Sequence, residues 1–210
     1  MAQLVERFRL WPQTGALACH YFDRYASKML CRGSCLHDHP AIISSVCLLL
    51  AAKFADRDWP FLTELQIECN GMLSAEQFAI LEYNVLDTLS WQLHVPLPHD
   101  FVDLLLQTVP TAISEDLRAQ TMRLIDSASL AYESLGYTSV EICAGALLGA
   151  WAMCSMPEAA CEFLPALARA CSSDDARLLS CSRMVGGERE CETLVHGKVR
   201  ARTRRELRSG

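Results

Sequence analysis

The chain has 210 residues, of which 51% are hydrophobic and 21% charged, and a formal net charge of -6. That balance excludes a disordered polymer, and the length suits one large domain or two small ones. The longest apolar stretches, 46–52 and 142–154, fall short of the roughly 18 residues of a membrane span, and the opening "AQLVERFRLW" lacks the pattern of a secretory leader.

In chain order, "TGALACHYFDRYASKML" places Leu17, Ala18, Tyr21, Phe22 and Tyr25 at helical spacing, with Thr14 as the expected N-cap. The loop "CRGSCLHDHP" follows. Its Cys31, Cys35, His37 and His39 are enough in number for zinc, but their spacing is too tight for a tetrahedral wrap, so a solvated loop without metal is expected. "HPAIISSVCLLLAAKFAD" has a proline in its first turn and is apolar almost all round, the pattern of a buried central helix. A shorter helix in "FLTELQIECNG" is expected to end at Gly71. Ser74 then opens "SAEQFAILEYNVLDTLSW", with Gln77 three residues on, as a capping box requires.

Two charges interrupt apolar faces in these helices. Lys53 lies on the side of Leu49 and Leu50, and Glu82 lies between Phe78 and Leu86 in a stripe completed by Leu81, Val85 and Leu89. An isolated buried charge is costly, so two readings stand. One is an internal ion pair. The other is a pair of polar anchors in an apolar surface that a partner protein covers, where charged hydrogen bonds set orientation. A lysine in the last turn of a helix also has the option of snorkelling outward, favourably placed for the helix dipole. Mid-helix Glu82 lacks that option.

The two prolines of "HVPLPHD" mark the expected domain boundary. Beyond it, helices are expected at 98–108, 114–135, 139–154, 157–171 and 173–183. Two successive bundles result, each with a very apolar central helix, at 40–56 and 139–154. The eleven cysteines, several of them inside apolar helical stretches, read as reduced small hydrophobes of a cytosolic or nuclear protein. From Lys198 to Arg208 six basic residues meet one acidic, a local +5 that leaves the remainder near -11. Such a body is a poor nucleic-acid binder, and the basic tail over 184–210 reads as a nuclear import signal, a weak phosphate-binding arm or a solvated disordered end, the last being expected. The sequence has no Gly-rich phosphate loop, no G-x-S-x-G and no H-E-x-x-H, and its histidines fall mostly in expected loops (His37, His39, His94, His99, His196). Neither an enzyme nor a bound cofactor is expected.

"LACHYFDRYAS", "VCLLLAAKFAD" and "LEYNVLDTLSWQLHVPLPHDF", in this order, resemble the cyclin box, the last piece being most like the D-type cyclins. The likeness runs from residue 5 to 107. Residues 114–183 are similar to a second cyclin fold in helix layout and in "TSVEICAGALLGAWA", where Thr138 stands in place of the family's proline in Pro-Ser-x-x-Ala-Ala-Ala. The resemblance implies an all-α chain of two tandem five-helix cyclin-type bundles. These are an N-terminal cyclin box over 1–95, complete except for a shortened first helix, and a divergent cyclin-like fold over 96–183.

It further implies a regulatory subunit in cell-cycle control, in nucleus and cytoplasm, that binds a cyclin-dependent kinase and holds its mobile helix in the active position. No cofactor, nucleic acid or membrane belongs to that role. Lys53 and Glu82 match residues that bond to kinase backbone, and Leu50, Phe54, Leu86 and Leu93 match the apolar residues packed around them. The family's Met-Arg-Ala-Ile-Leu-type motif, whose arginine pairs with the aspartate matched by Asp23, has no counterpart, and Ala41 stands where a glutamine often completes that patch. The substrate-docking patch is therefore expected to be absent and the first helix poorly anchored. Two alternatives stay beside this reading. One is a two-fold adaptor of transcription-factor type, disfavoured because acidic residues outnumber basic ones nine to five between 112 and 183. The other is a pseudo-cyclin that does not bind a kinase.

Overall fold

The structure, a computed structural model, describes residues 1–33, 40–60, 62–69, 71, 73–109, 114–154 and 156–186. Among them the regular structure is all helical, ten α-helices and two 3-10 segments with no strand. The chain divides into two compact units, Met1–Val95 and Pro96–Gly210. Among the described residues no helix is long and apolar enough to cross a membrane. Cys35, His37 and His39 of the expected solvated loop, and the basic segment from 187 onward, lie outside the described residues.

The first unit contains α1 (Ala2–Arg7), α2 (Pro12–Cys31), α3 (Pro40–Ala55), α4 (Leu62–Glu68) and α5 (Ala75–Thr88). Its centre is α3, where every residue from Ser45 to Ala52 is buried, as an all-round apolar helix requires. α2 and α5 pack against it. α2 starts earlier than the sequence suggests: Trp11 occupies the N-cap position, and Pro12 takes the first turn, where its missing N–H is not needed. Thr14 is therefore inside the helix and buried, and its hydroxyl donates to Asp56, just beyond α3. The Trp11 N–H also points to Asp56, at 3.4 Å, so the cap of α2 comes from across the bundle rather than from Thr14.

α1 buries no residue of its own, yet it is attached at two points. A Cβ on Gly15 would stand 2.9 Å from Val5 Cγ2, so the bare glycine admits α1 against α2, and Arg7 pairs with Glu68. The capping box of α5 forms in both directions. The Gln77 N–H donates to Ser74 Oγ (3.2 Å) and the Ser74 N–H to Gln77 Oε1 (2.8 Å).

In the second unit a 3-10 turn (Pro98–Phe101) leads into α6 (Val102–Gln107) and α7 (Glu115–Ala128). A second 3-10 segment (Tyr132–Gly136) precedes α8 (Ser139–Met153), α9 (Pro157–Ala170) and α10 (Asp175–Gly186). α8 is its central helix, buried without a break from Glu141 to Trp151. Glycine lets α10 lie close against it: a Cβ on Gly145 would stand 2.9 Å from Cys181 Sγ and 3.1 Å from the Ser182 backbone nitrogen. The helix expected over 114–135 stops at Ala128. Beyond it Leu130, Tyr132 and Leu135 are exposed, and the hydroxyls of Ser129 and Ser134 turn back to the carbonyls of Ile125 (3.0 Å) and Ala131 (2.6 Å), competing with a continued helix. His99, expected in a loop, is buried in the first 3-10 turn with Nε2 2.9 Å from Asp126 Oδ1.

Candidate partner-binding site

Of the six residues singled out in the sequence, Leu50, Lys53 and Phe54 lie in the last turns of α3, Glu82 and Leu86 on α5, and Leu93 in the segment after it. Lys53 Nζ donates to Glu82 Oε1 at 2.5 Å, so the two interrupting charges are indeed paired. The pair is not internal. The Lys53 side chain is 40% exposed and that of Glu82 20%, which leaves the bond at the surface between the two helices. Leu50, one turn before Phe54, is buried at 4% exposure and forms part of the floor, whereas Phe54 is 48% exposed. Leu86 and Leu93 are half-buried. α5 itself is anchored by the fully enclosed Phe78, Val85 and Leu89, which frees the flank carrying Glu82 and Leu86.

The exit from α5 adds residues that the sequence reading missed. Leu89 is the C-cap, and the Ser90 N–H bonds to the Asp87 carbonyl (2.9 Å) while the Trp91 N–H reaches the Leu86 carbonyl (3.0 Å), a Schellman closure. Such a closure ordinarily uses glycine, but here Ser90 and Trp91 adopt φ 56° and 58°. Three side chains of α2 hold this turn. Lys28 Nζ donates to the Thr88 carbonyl (2.6 Å) and lies 3.4 Å from Ser90 Oγ. Arg24 donates to the carbonyls of Gln92 (2.7 Å) and Leu89 (3.4 Å), and the buried Tyr21 hydroxyl to that of Leu93 (2.7 Å). Trp91 is 61% exposed and meets Tyr83 edge-on, with ring centroids 6.4 Å apart. The available signal was the spacing of Tyr21, Arg24 and Lys28, which puts all three on one helix face.

The second unit holds a different kind of charge cluster. Glu141, one of the nine acidic residues between 112 and 183, is buried. Thr138 caps α8 and donates to Glu141 Oε2 from its N–H (2.9 Å) and its hydroxyl (3.1 Å). Ser173 Oγ donates to Oε1 (2.9 Å), and Arg177 adds Nε to Oε1 (2.5 Å) and Nη2 to Oε2 (3.2 Å). The Arg177 bonds, followed by those from Thr138 and Ser173, hold the carboxyl down to about 2, against an opposing push from burial. Nearby, Cys143, Cys171 and Cys181 have thiols pushed up by burial, which makes them weak nucleophiles. Among the described residues no group of three or more His, Cys, Asp or Glu is placed to hold a metal ion.

Comparison with known proteins bears on the first unit. The family of the cyclin N-terminal domain matches residues 1–94. The chain is 31% identical over 102 residues to a G2/mitotic-specific cyclin-A of Hydra viridissima, covering 49% of this chain and 23% of that protein. It is 29% identical over 102 residues to cyclin puc1 of Schizosaccharomyces pombe (47% and 27% covered). With cyclin-D3-1 of Arabidopsis thaliana the identity is 32% over 87 residues (40% and 23% covered), a modest likeness to a D-type cyclin. This chain thus spans 23% to 27% of the length of these relatives. Family match and relatives agree on the same N-terminal stretch, and over it the chain is similar to cyclins.

Proposed function

We propose that this chain is a regulatory subunit in cell-cycle control that binds a cyclin-dependent kinase through its first unit and holds the mobile helix of that kinase in the active position. The observation that carries the reading is the unsaturated Lys53–Glu82 pair beside Phe54, Leu86 and Leu93. An ammonium offers three donors and a carboxylate about four acceptor sites. Among the described residues one bond joins the two side chains, of which Lys53 is 40% and Glu82 20% exposed. Lys53 then donates to carbonyls of the kinase backbone and Glu82 accepts from its N–H groups. The apolar side chains, over the floor that includes Leu50, supply contact area. A kinase needs its lysine and helix glutamate paired for phosphoryl transfer, so a subunit with higher affinity for the helix-in state activates by shifting the population. This chain contributes no catalytic group. We read the second unit as a divergent cyclin-like fold that runs to Gly186, three residues past the boundary expected at 183 because α10 continues and buries Val185, and the place of action as nucleus and cytoplasm.

The test is co-purification with a panel of purified cyclin-dependent kinase catalytic subunits, using the wild type, Lys53→Glu and Glu82→Lys. Both variants are expected to lose the complex while their helical circular dichroism stays unchanged. Normal binding by both overturns the proposal, and unfolding of both assigns the pair a structural role. The double variant Lys53→Glu/Glu82→Lys rebuilds the internal pair with reversed polarity. It is expected to remain unbound, because the partner's backbone donors and acceptors then face like groups.

A further inference from the structure

Ser90 and Trp91 occupy left-handed backbone conformations, and neither is glycine. L-residues reach that region at a steric cost, and two in succession persist only where the surroundings over-determine them. α2 supplies that constraint from one face, through Tyr21, Arg24 and Lys28. Part of the arrangement is ordinary capping. The last carbonyls of α5 lack intrahelical donors, and cations beside them are favoured by the helix dipole. Capping needs only the carbonyls of Thr88 and Leu89, however, and the bonds continue past the helix end to Gln92 and Leu93. What they fix beyond the helix is the segment that carries Leu93 and the exposed Trp91 with its Tyr83 neighbour.

We infer that Tyr21, Arg24 and Lys28 are positioning residues for the partner-facing surface, holding the strained Ser90–Trp91 turn so that Leu93 and Trp91 are presented in one ready-made arrangement. The inference rests on the kinase-binding reading above. A surface ordered in advance binds with less conformational entropy lost than one that must organise on contact. None of the three side chains is required to touch the kinase.

The test uses the full chain and the purified cyclin-dependent kinase catalytic subunit that the wild type retains. The variants are Tyr21→Phe, Arg24→Met, Lys28→Met and the conservative Lys28→Arg. Two quantities are read: hydrogen exchange of the Ser90–Leu93 amides in the free chain, and affinity for the kinase. The first three variants are expected to speed exchange in that turn with α3 unchanged, and to weaken binding about three- to ten-fold each. Lys28→Arg is expected to restore both. Tyr21→Phe keeps the buried ring and removes only the hydroxyl, so it decides the matter if a charge variant fails to fold. Faster exchange with unchanged affinity overturns the inference alone, as does unchanged exchange in the turn. A wild type that binds no kinase overturns the kinase reading and this inference with it.

Discussion

Each unit carries one conspicuous ion pair against its central helix, and the two are built in opposite ways. In the second unit Glu141 is enclosed and saturated: Thr138, Ser173 and Arg177 give its two oxygens five hydrogen bonds. In the first unit Lys53 and Glu82 share a single bond at the surface. A saturated carboxylate has nothing left to offer a second molecule, whereas a half-used pair at the edge of exposed apolar side chains does. On the proposed reading the saturated charge serves folding and the open pair serves recognition. Burial alone would not separate them, since Glu82 is itself mostly covered.

The largest expected effect breaks the saturated side. Glu141→Ala leaves the Arg177 Nε–H, the Ser173 hydroxyl and the Thr138 N–H without their acceptor, Arg177 Nη2 keeping the Gly136 carbonyl, and should destabilise the second unit by about 2 kcal/mol. Urea titration followed by fluorescence of Trp151, which is buried in that unit while Trp11, Trp59 and Trp91 are exposed, reads it out. A loss as large in the first unit for Lys53→Ala, read by hydrogen exchange of α3, would erase the contrast.

Next comes close packing. Gly145→Ala drives a methyl into Cys181 and the backbone of α10, and should cost about 2 kcal/mol. Gly15→Ala meets only the end of the Val5 side chain, which can rotate, and should cost about 1 kcal/mol or less. Thermal melts of the two variants compare them directly, and equal losses would mean that both helix contacts are equally rigid.

The acid profile tests the same saturated carboxylate. The Glu141 carboxyl sits at about 2, below its ordinary 4.5, chiefly through Arg177. Its contribution is therefore fully present above the unfolded value and drains away as pH falls from 4.5 toward 2. Wild type should lose second-unit stability across that window, and Glu141→Gln should show a flatter profile by Trp151 fluorescence. A slope that survives the substitution would place the acid sensitivity elsewhere. The smallest effect is on the open pair. Lys53→Ala should change the stability of the free chain by about 0.5 kcal/mol or less in a denaturant melt, as surface pairs do.

Much of this was legible where the signal is local. The Ser74–Gln77 capping box lies three residues apart and forms as read, and the all-round apolar stretches became the buried helices α3 and α8. Lys53 and Glu82 stood out because each breaks a helical stripe. Other features gave no local signal. Thr14 had the chemistry of an N-cap, but its partner Asp56 is 42 positions away and a proline starts the helix first. The left-handed exit of α5 has no glycine to announce it.

By itself, then, the sequence determined the helices, the two central ones among them, and the two charges that do not belong on apolar faces. Those follow from hydropathy, spacing and caps, which act within a turn or two of the chain. Tertiary structure alone decided that Lys53 and Glu82 meet at the surface, that Arg177 saturates Glu141 from 36 positions away, and that Tyr21 reaches Leu93 across 72. The physical reason is that a hydrogen bond forms where packing brings donor and acceptor within about 3 Å, whatever their separation along the chain.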